Sequence, residues 1–237
     1  MSSVLEIIKE RWNTHAMSYD EHHHGHLSAE DVKLWKNILK THLGQDQSAE
    51  ILDVGTGTGF LILQAAELGY KCTGVDISEG MMTIAKEHSK EKGLTIEFIK
   101  SAVEGLPFDA CSKDVIMNRS LMWTLLQPDV ALKEWLRVLK PGGVLLCFCS
   151  IGEGKTSYNH YDQEIEDMLP LKGGTKEMFM AALKEAGFCE VEGILLEGIQ
   201  DKHRDKDWYL IKGRKFTETK LPPRNYFFQV THIEFKK

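Results

Sequence analysis

Short apolar segments alternate with longer amphipathic segments along this chain from residue 49 onward. The apolar segments predict strands over 50–54, 71–76, 94–100, 114–118, 144–150, 189–196 and 207–215. The amphipathic segments predict helices over 58–68, 78–92 and 174–186, and one that begins at Pro128 and ends at 140–143. Strands that alternate with helices form parallel sheets covered on both faces. The sequence therefore predicts an α/β fold with a doubly wound, mostly parallel sheet of seven strands.

The segments on either side of the predicted core are assigned from their length and pattern. Residues 1–45 are helical in pattern and too short for an independent domain. We predict that they form a helical cap over the carboxyl edge of the sheet, where open α/β sheets bind ligands. Residues 46–215 are the predicted core and 216–237 a C-terminal extension, so we predict one domain over 1–237.

Charge and cysteine content bound the partners and the compartment. A formal net charge of −6 disfavours a nucleic-acid partner held by bulk electrostatics. Residues 201–237 are locally basic, with ten Lys and Arg against five Asp and Glu, and form either a solvated face or a docking surface for an anionic partner. No apolar run reaches the roughly 18 residues of a membrane span. Five cysteines without a C-x-x-C pair indicate reduced thiols. We expect a cytoplasmic protein, a monomer or a homodimer, that binds neither nucleic acid nor membrane.

The stretch "ILDVGTGTGF" (51–60) places three alternate glycines directly after a buried strand. A dinucleotide fingerprint requires G-x-G-x-x-G, and a triphosphate loop requires a lysine that does not follow here. Neither template fits. Three such glycines still indicate a tight turn and close approach of a ligand to the backbone.

Two aspartates stand at predicted strand ends beside this turn. Asp53 precedes Gly55 by two residues and could accept hydrogen bonds from an ammonium group, or stabilise the turn. Asp76 ends the second strand and could bind both hydroxyls of a ribose, or cap a helix. An amino-acid end together with a ribose describes S-adenosylmethionine, whose demethylated product is S-adenosylhomocysteine.

Four ordered motifs resemble those of the class I S-adenosylmethionine-dependent methyltransferases. They are "ILDVGTGTGF", "VDISEGMM" (75–82), "SAVEGLPF" (101–108) and "LMWTLLQPDVALKEWLRVLKPGGVLL" (121–146). The resemblance covers 49–150 closely and implies a Rossmann-like methyltransferase fold. "MSYDEHHH" (17–24) resembles the cap of members that methylate small molecules.

The resemblance also implies cofactor-binding residues at the strand ends. It assigns the methionine part to Gly55, Thr56 and Gly57, the ribose to Asp76, the adenine to Ile77 and Met81, and the surroundings of the sulfonium to Asn118 and Arg119. Members often carry an acidic residue at the position of Ala102, so the adenine edge here would be met by the backbone of Val103. Met81 could equally be a core residue.

The acceptor side is predicted from the cap and from two loops. Tyr19 is expected to touch cofactor and substrate. The histidines of "YDEHHHGH" (19–26), namely His22, His23, His24 and His26, offer a general base, or are solvated or core residues. No ligand pattern completes a metal site there. The remaining candidates for the pocket wall are Trp123, after the fourth strand, and Tyr158, His160 and Tyr161, after the fifth.

Methyl transfer to a small-molecule nucleophile by in-line displacement is therefore the predicted function. A nicotinamide oxidoreductase lacks support because G-x-G-x-x-G is absent. Two alternatives stay open. One is a non-catalytic protein that binds S-adenosylmethionine, and the other is a protein or RNA methyltransferase.

Overall fold

The computed structural model describes residues 2–23, 27–151, 161–201 and 206–217. Within these ranges the helices are α1 (Ser2–His23), α2 (Ala29–His42), α3 (Phe60–Glu67), α4 (Glu79–Glu91), α5 (Pro128–Val138), α6 (Gln163–Glu166) and α7 (Lys176–Ala186). The strands are β1 (Glu50–Val54), β2 (Lys71–Asp76), β3 (Glu97–Lys100), β4 (Lys113–Arg119), β5 (Leu139–Ile151), β6 (Cys189–Asp201) and β7 (Lys206–Arg214). None of the described helices is long and apolar enough to cross a membrane.

The described strands form one seven-stranded sheet in the order β3-β2-β1-β4-β5-β7-β6. All neighbouring pairs from β3 to β5 are parallel, whereas β7 is antiparallel to β5 and to β6. The predicted fold class is thus confirmed. The order of strands reverses between β1 and β4, and open α/β sheets bind ligands beyond the carboxyl ends of strands at such a point.

Helices cover both faces of the sheet with apolar side chains. On one face Trp135 of α5 and Leu183 of α7 are fully buried in a cluster with Leu145. On the other, Trp35 and Leu39 of α2 pack in a cluster with residues of α3 and the strands. The second helix of the predicted cap therefore lies on a sheet face, and α1 alone of the two supplies residues to the cavity at the carboxyl edge.

Side-chain contacts fix α1 against α4. Asn13 Oδ1 accepts hydrogen bonds from Ser78 Oγ at 2.8 Å and from the backbone N–H of Gly80 at 3.1 Å. Near the other end of α1, His88 Nε2 lies 2.9 Å from Asp20 Oδ2. The backbones approach closely, because a Cβ at position 80 would lie 2.9 Å from the carbonyl oxygen of Asn13.

The start of β5 departs from the sequence expectation. Helix α5 ends at Val138 and the strand begins at once, whereas a helix end over 140–143 is predicted. Lys113 pairs with Leu139 and the next pair joins Val115 to Val144, so the register shifts between them. This irregularity accommodates Pro141, which has no N–H to donate to a sheet ladder.

Candidate active site

The loop between β1 and α3 has the backbone conformation that its glycines suggest. Gly55, Gly57 and Gly59 have φ of 63°, 56° and 90°, a region that side chains with a Cβ rarely adopt. A Cβ at Gly55 would lie 2.7 Å from Leu121 Cδ1, whereas a Cβ at Gly57 would meet nothing within 4 Å. The backbone at Gly57 is therefore open to the cavity, which leaves room for a ligand against the chain.

Asp53 of β1 contacts Thr56, a residue of this loop. Asp53 is 2% exposed, and the hydroxyl of Thr56 donates a hydrogen bond of 2.8 Å to its Oδ2. Burial raises the pKa of Asp53 to about 7, against the opposing effect of that hydrogen bond. Neither residue lines the cavity. The geometry favours the turn-stabilising alternative for Asp53, and its contact with an ammonium group stays a prediction.

Asp76 connects the glycine loop to the start of α4. Its Oδ2 accepts from the N–H of Gly57 and its Oδ1 from the N–H of Ser78, both at 2.8 Å. Burial raises the pKa of Asp76, and these hydrogen bonds act in the opposite direction. Each carboxylate oxygen has a second lone pair, and Asp76 lies on the cavity wall. The carboxylate can therefore accept hydrogen bonds from two ligand hydroxyls, which is the arrangement that a ribose requires.

The cavity has about 770 Å³ of empty space, part of which is open to solvent. The predicted residues that line it are Tyr19, Gly55, Gly57, Asp76, Ile77, Met81, Ala102, Val103 and Arg119. The structure thus gathers most of the predicted cofactor site around one space. Its loop, its carboxylate and the apolar side chains of Ile77 and Met81 fit a nucleoside with an amino-acid tail.

Helix α1 supplies an apolar wall of which the sequence predictions included only Tyr19. Leu5, Ile8, Trp12 and Tyr19 all line the cavity. Their separations of three, four and seven residues place them on one helical face, which was the signal available in the sequence. The rings of Trp12 and Tyr19 meet edge to face at 5.7 Å between centroids. Facing residues come from the turn after β4, namely Leu121, Thr124, Leu125 and Leu126.

Arg119 ends β4 inside a group of aromatic rings. Its guanidinium carbon lies 4.3 Å from the ring centre of Phe60, 4.9 Å from Trp208 and 5.4 Å from Trp35. Such rings attract a cation through their π faces. The neighbouring Asn118 is fully buried and donates from Nδ2 to the sulfur of Cys147 at 3.2 Å, so of the two predicted residues only Arg119 lines the cavity.

Two predicted wall residues pack beside the cavity-lining residues of α1 instead of lining the cavity themselves. Trp123 and Tyr161 belong to an apolar cluster with Ile8, Trp12 and Leu126. The Tyr161 ring lies 6.4 Å from that of Trp12, and burial raises the pKa of its hydroxyl. They support the helix that forms the wall, and the sequence could not separate this role from direct contact.

The histidine predictions are mostly outside the described residues. His24 and His26, as well as Tyr158 and His160, fall there. His23 ends α1, and His22 has an exposed side chain that does not line the cavity. The general-base role of these histidines therefore stays a prediction.

Comparison with known proteins identifies the family. Residues 52–147 match the family described as "Methyltransferase domain". The demethylmenaquinone methyltransferase of Lactococcus lactis is 31% identical over 188 residues, which are 76% of this chain and 72% of that protein. The chain belongs to the class I S-adenosylmethionine-dependent methyltransferases. Membership confirms the predicted family and the predicted cofactor.

Other relatives of this methyltransferase are matched over a smaller share of their length. The ubiquinone biosynthesis O-methyltransferase of Maricaulis maris is 34% identical over 102 residues, which cover 43% of this chain and 40% of that one. In fold, the chain resembles phosphoethanolamine N-methyltransferase 2 of Haemonchus contortus, solved with S-adenosylhomocysteine, with a TM-score of 0.68 and 20% identity over 86% of this chain and 58% of that one. This methyltransferase therefore shares its core with proteins named for different acceptors.

Proposed function

We propose that this methyltransferase transfers the methyl group of S-adenosylmethionine to a small, apolar molecule. One observation supports the proposal above all. The cavity that contains the glycine loop and Asp76 continues into a wall of aliphatic and aromatic side chains from α1 and from the turn after β4. Cofactor and acceptor would thus share one space, as a direct displacement requires.

The residues of the site divide the work between binding and orientation. When bound, the cofactor supplies a methyl group on a positively charged sulfur, already activated for displacement. Asp76 would hold the ribose hydroxyls, and the open backbone at Gly57 would admit the methionine part. Leu5, Ile8 and Trp12 would exclude water and align the acceptor, because their apolar surface favours an apolar ligand.

The polar groups of the wall limit the chemistry of the acceptor. Among the described residues that line the cavity there is no histidine, and its hydroxyl groups come from Tyr19, Ser120 and Thr124. An acceptor that arrives as a reactive nucleophile, such as an ionised ring hydroxyl or an electron-rich ring carbon, needs no strong base from the enzyme. The names of two relatives, a ubiquinone biosynthesis O-methyltransferase and a demethylmenaquinone methyltransferase, support a flat ring of this kind.

Calorimetry with S-adenosylhomocysteine tests the cofactor site. Asp76→Asn removes the charge of the carboxylate, and hydrogen bonds to charged groups contribute about 1.5–3 kcal/mol, so we expect affinity to fall by more than tenfold. Asp109→Asn, an exposed acid outside the cavity, should bind as the wild type does. Equal affinity of both variants would refute the ribose assignment.

A screen of metabolite extracts with methyl-labelled cofactor tests the transfer. We expect a labelled product of low polarity, identified by mass. A protein that binds S-adenosylhomocysteine but labels no small molecule would be a non-catalytic binder. Labelled protein or RNA would instead indicate a protein or RNA methyltransferase.

A further inference from the structure

The residue that follows β4 has a backbone conformation that side chains with a Cβ rarely adopt. Ser120 has a φ of 57°, in the left-handed region that favours glycine. Its N–H donates to the carbonyl of Phe148 at 2.9 Å, so the pairing of β4 with β5 helps to hold this conformation. Strained residues of this kind persist where the surrounding structure determines them, and they cluster at active sites. The chain therefore carries a side chain at a position where the backbone alone would favour glycine.

Ser120 lines the cavity between two neighbours in sequence that also line it, Arg119 and Leu121. A Cβ added at Gly55 would lie 2.7 Å from Leu121 Cδ1, so the residue next to Ser120 packs against the glycine loop. Ser120 therefore lies where the loop expected to hold the methionine part of the cofactor adjoins the apolar wall. Under the proposed function, the methyl group reaches the acceptor in this part of the cavity.

The hydroxyl of Ser120 forms no hydrogen bond with any residue that the structure describes. The other hydroxyl from the same turn is already engaged, because Thr124 Oγ1 donates to the carbonyl of Leu121 at 2.8 Å. The third hydroxyl of the cavity wall belongs to Tyr19 of α1, whose ring packs against that of Trp12. A serine hydroxyl both donates and accepts, so Ser120 offers a ligand both kinds of hydrogen bond.

The cavity wall that includes Ser120 is mostly apolar. Leu121 and Leu125 come from the turn after β4, and Leu5 and Ile8 from α1. Apolar contacts are non-directional, so they hold a flat ring without fixing how it is rotated in its plane. A hydrogen bond is directional, and ligand pockets commonly combine an apolar lining with a few polar groups that fix orientation. One hydrogen bond at Ser120 would therefore determine which atom of the ring faces the methyl group.

We propose that the Ser120 hydroxyl binds a ring oxygen of the acceptor and thereby orients the ring for methyl transfer. The inference rests on the proposed function and names the polar group of the acceptor, a hydroxyl or oxo oxygen on an otherwise apolar ring. In the transfer, an electron pair of the acceptor forms the bond to the methyl carbon, the carbon–sulfur bond breaks, and its electron pair stays on the sulfur. Ser120 keeps its proton throughout, so it binds the acceptor and does not act as a base.

Equilibrium dialysis with two probes tests the proposal on protein saturated with S-adenosylhomocysteine. The probes are naphthol and naphthalene, flat apolar molecules that differ in one ring hydroxyl. The ratio of their affinities in the wild type is compared with the ratio in Ser120→Ala and Ser120→Gly. We expect the preference for naphthol to fall about fivefold in both variants, the factor that a hydrogen bond of about 1 kcal/mol provides. Naphthalene should bind all three proteins about equally.

The two variants separate the hydroxyl from a purely structural role of the residue. Alanine keeps the strain of a positive φ, whereas glycine relieves it, so the Tm of Ser120→Gly should lie above that of Ser120→Ala. A preference that falls in both variants, despite their different stabilities, follows the hydroxyl and not the backbone.

The matched control is Ser18→Ala, which removes an exposed hydroxyl outside the cavity and should keep the wild-type preference. A wild-type preference retained in either Ser120 variant would overturn the proposal. In that outcome S-adenosylhomocysteine and both probes still bind, so the proposed function would stand. A wild type that binds S-adenosylhomocysteine but neither probe would contradict the apolar acceptor site, and this inference with it.

Discussion

Gly80 determines how closely α1 can seat against α4, so we expect Gly80→Ala to move the wall of the active site. The added Cβ would lie 2.9 Å from the carbonyl oxygen of Asn13, whereas ordinary contacts begin at 3.4 Å. Helix α1 must therefore move by about half an ångström, or the first turn of α4 must distort. Because Leu5, Ile8 and Trp12 are carried on α1, the cavity changes shape with it.

Two opposing effects determine the change in the free energy of unfolding of Gly80→Ala, so the sign of the measured change shows which effect is larger. Replacing glycine by alanine in an unhindered backbone stabilises a protein by about 0.4–1 kcal/mol. Overpacking typically costs about 1–3 kcal/mol. The Gly80→Ala variant should thus lose about 1 kcal/mol on balance, which for a chain of this size corresponds to roughly 2–4 °C in Tm.

Thermal unfolding and single-turnover kinetics measure the two consequences. Turnover should fall on the order of tenfold, given that misplacement by about 1 Å can cost 100-fold. Thr83→Ala, an exposed position in the same helix, is the control and should change neither quantity appreciably. A higher Tm with normal turnover in Gly80→Ala would refute the seating of α1 at Asn13.

Three further perturbations follow from the site. Gly55→Ala should destabilise the protein by about 1–2 kcal/mol in urea unfolding, because φ at this position is +63° and an added Cβ would contact Leu121. Adding Leu121→Ala to this variant should restore only part of the loss, because the backbone strain stays. Asp53→Asn should gain stability relative to the wild type as the pH rises from about 4 to about 7. Over that range the folded wild type, with the pKa of Asp53 at about 7, binds more protons than the unfolded state, so the wild type loses stability as the pH rises. Denaturation of both proteins at the two pH values measures this difference. The variant would show no such gain if the carboxyl of Asp53 were ionised throughout. Trp135→Phe should cost about 1–3 kcal/mol by leaving the carbonyl of Val103 without its indole donor, and an unchanged unfolding midpoint would contradict this hydrogen bond.

The periodicity of the apolar residues, together with the glycines and aspartates that end the apolar runs, predicted the fold. The predicted strands 50–54 and 71–76 have the observed bounds, since apolar runs closed by glycine or aspartate leave little freedom in where a buried strand ends. Asp76 was predicted on the same basis, because a strand end at the switch point leads directly to the ligand crevice. The local sequence pattern is sufficient for features that a single segment determines, such as the ends of a buried strand.

Side-chain direction was the part that local pattern could not supply. Side chains of β1 alternate between the two faces of the sheet, and that of Asp53 lies on the face of α3. Whether its carboxylate meets a ligand or the hydroxyl of Thr56 depends on the conformation of the loop that follows β1. Tyr161 was assigned to the pocket from its place after β5, but it packs in a cluster with Ile8 and Trp12 of α1 and does not line the cavity. Glu104 lines the cavity but was not among the predicted site residues, because the motif draws attention to position 102.

The position of β7 in the sheet constrains how the chain can fold during its synthesis. It is the last of the described strands along the chain, yet it lies between β5 and β6 and pairs with both. During synthesis the outer edge of β5, whose central residues are apolar, stays unpaired until residue 214 has left the ribosome. Nascent chains shorter than this expose a strand edge that can pair with other chains, so the yield of native protein should depend on protection of that edge during translation.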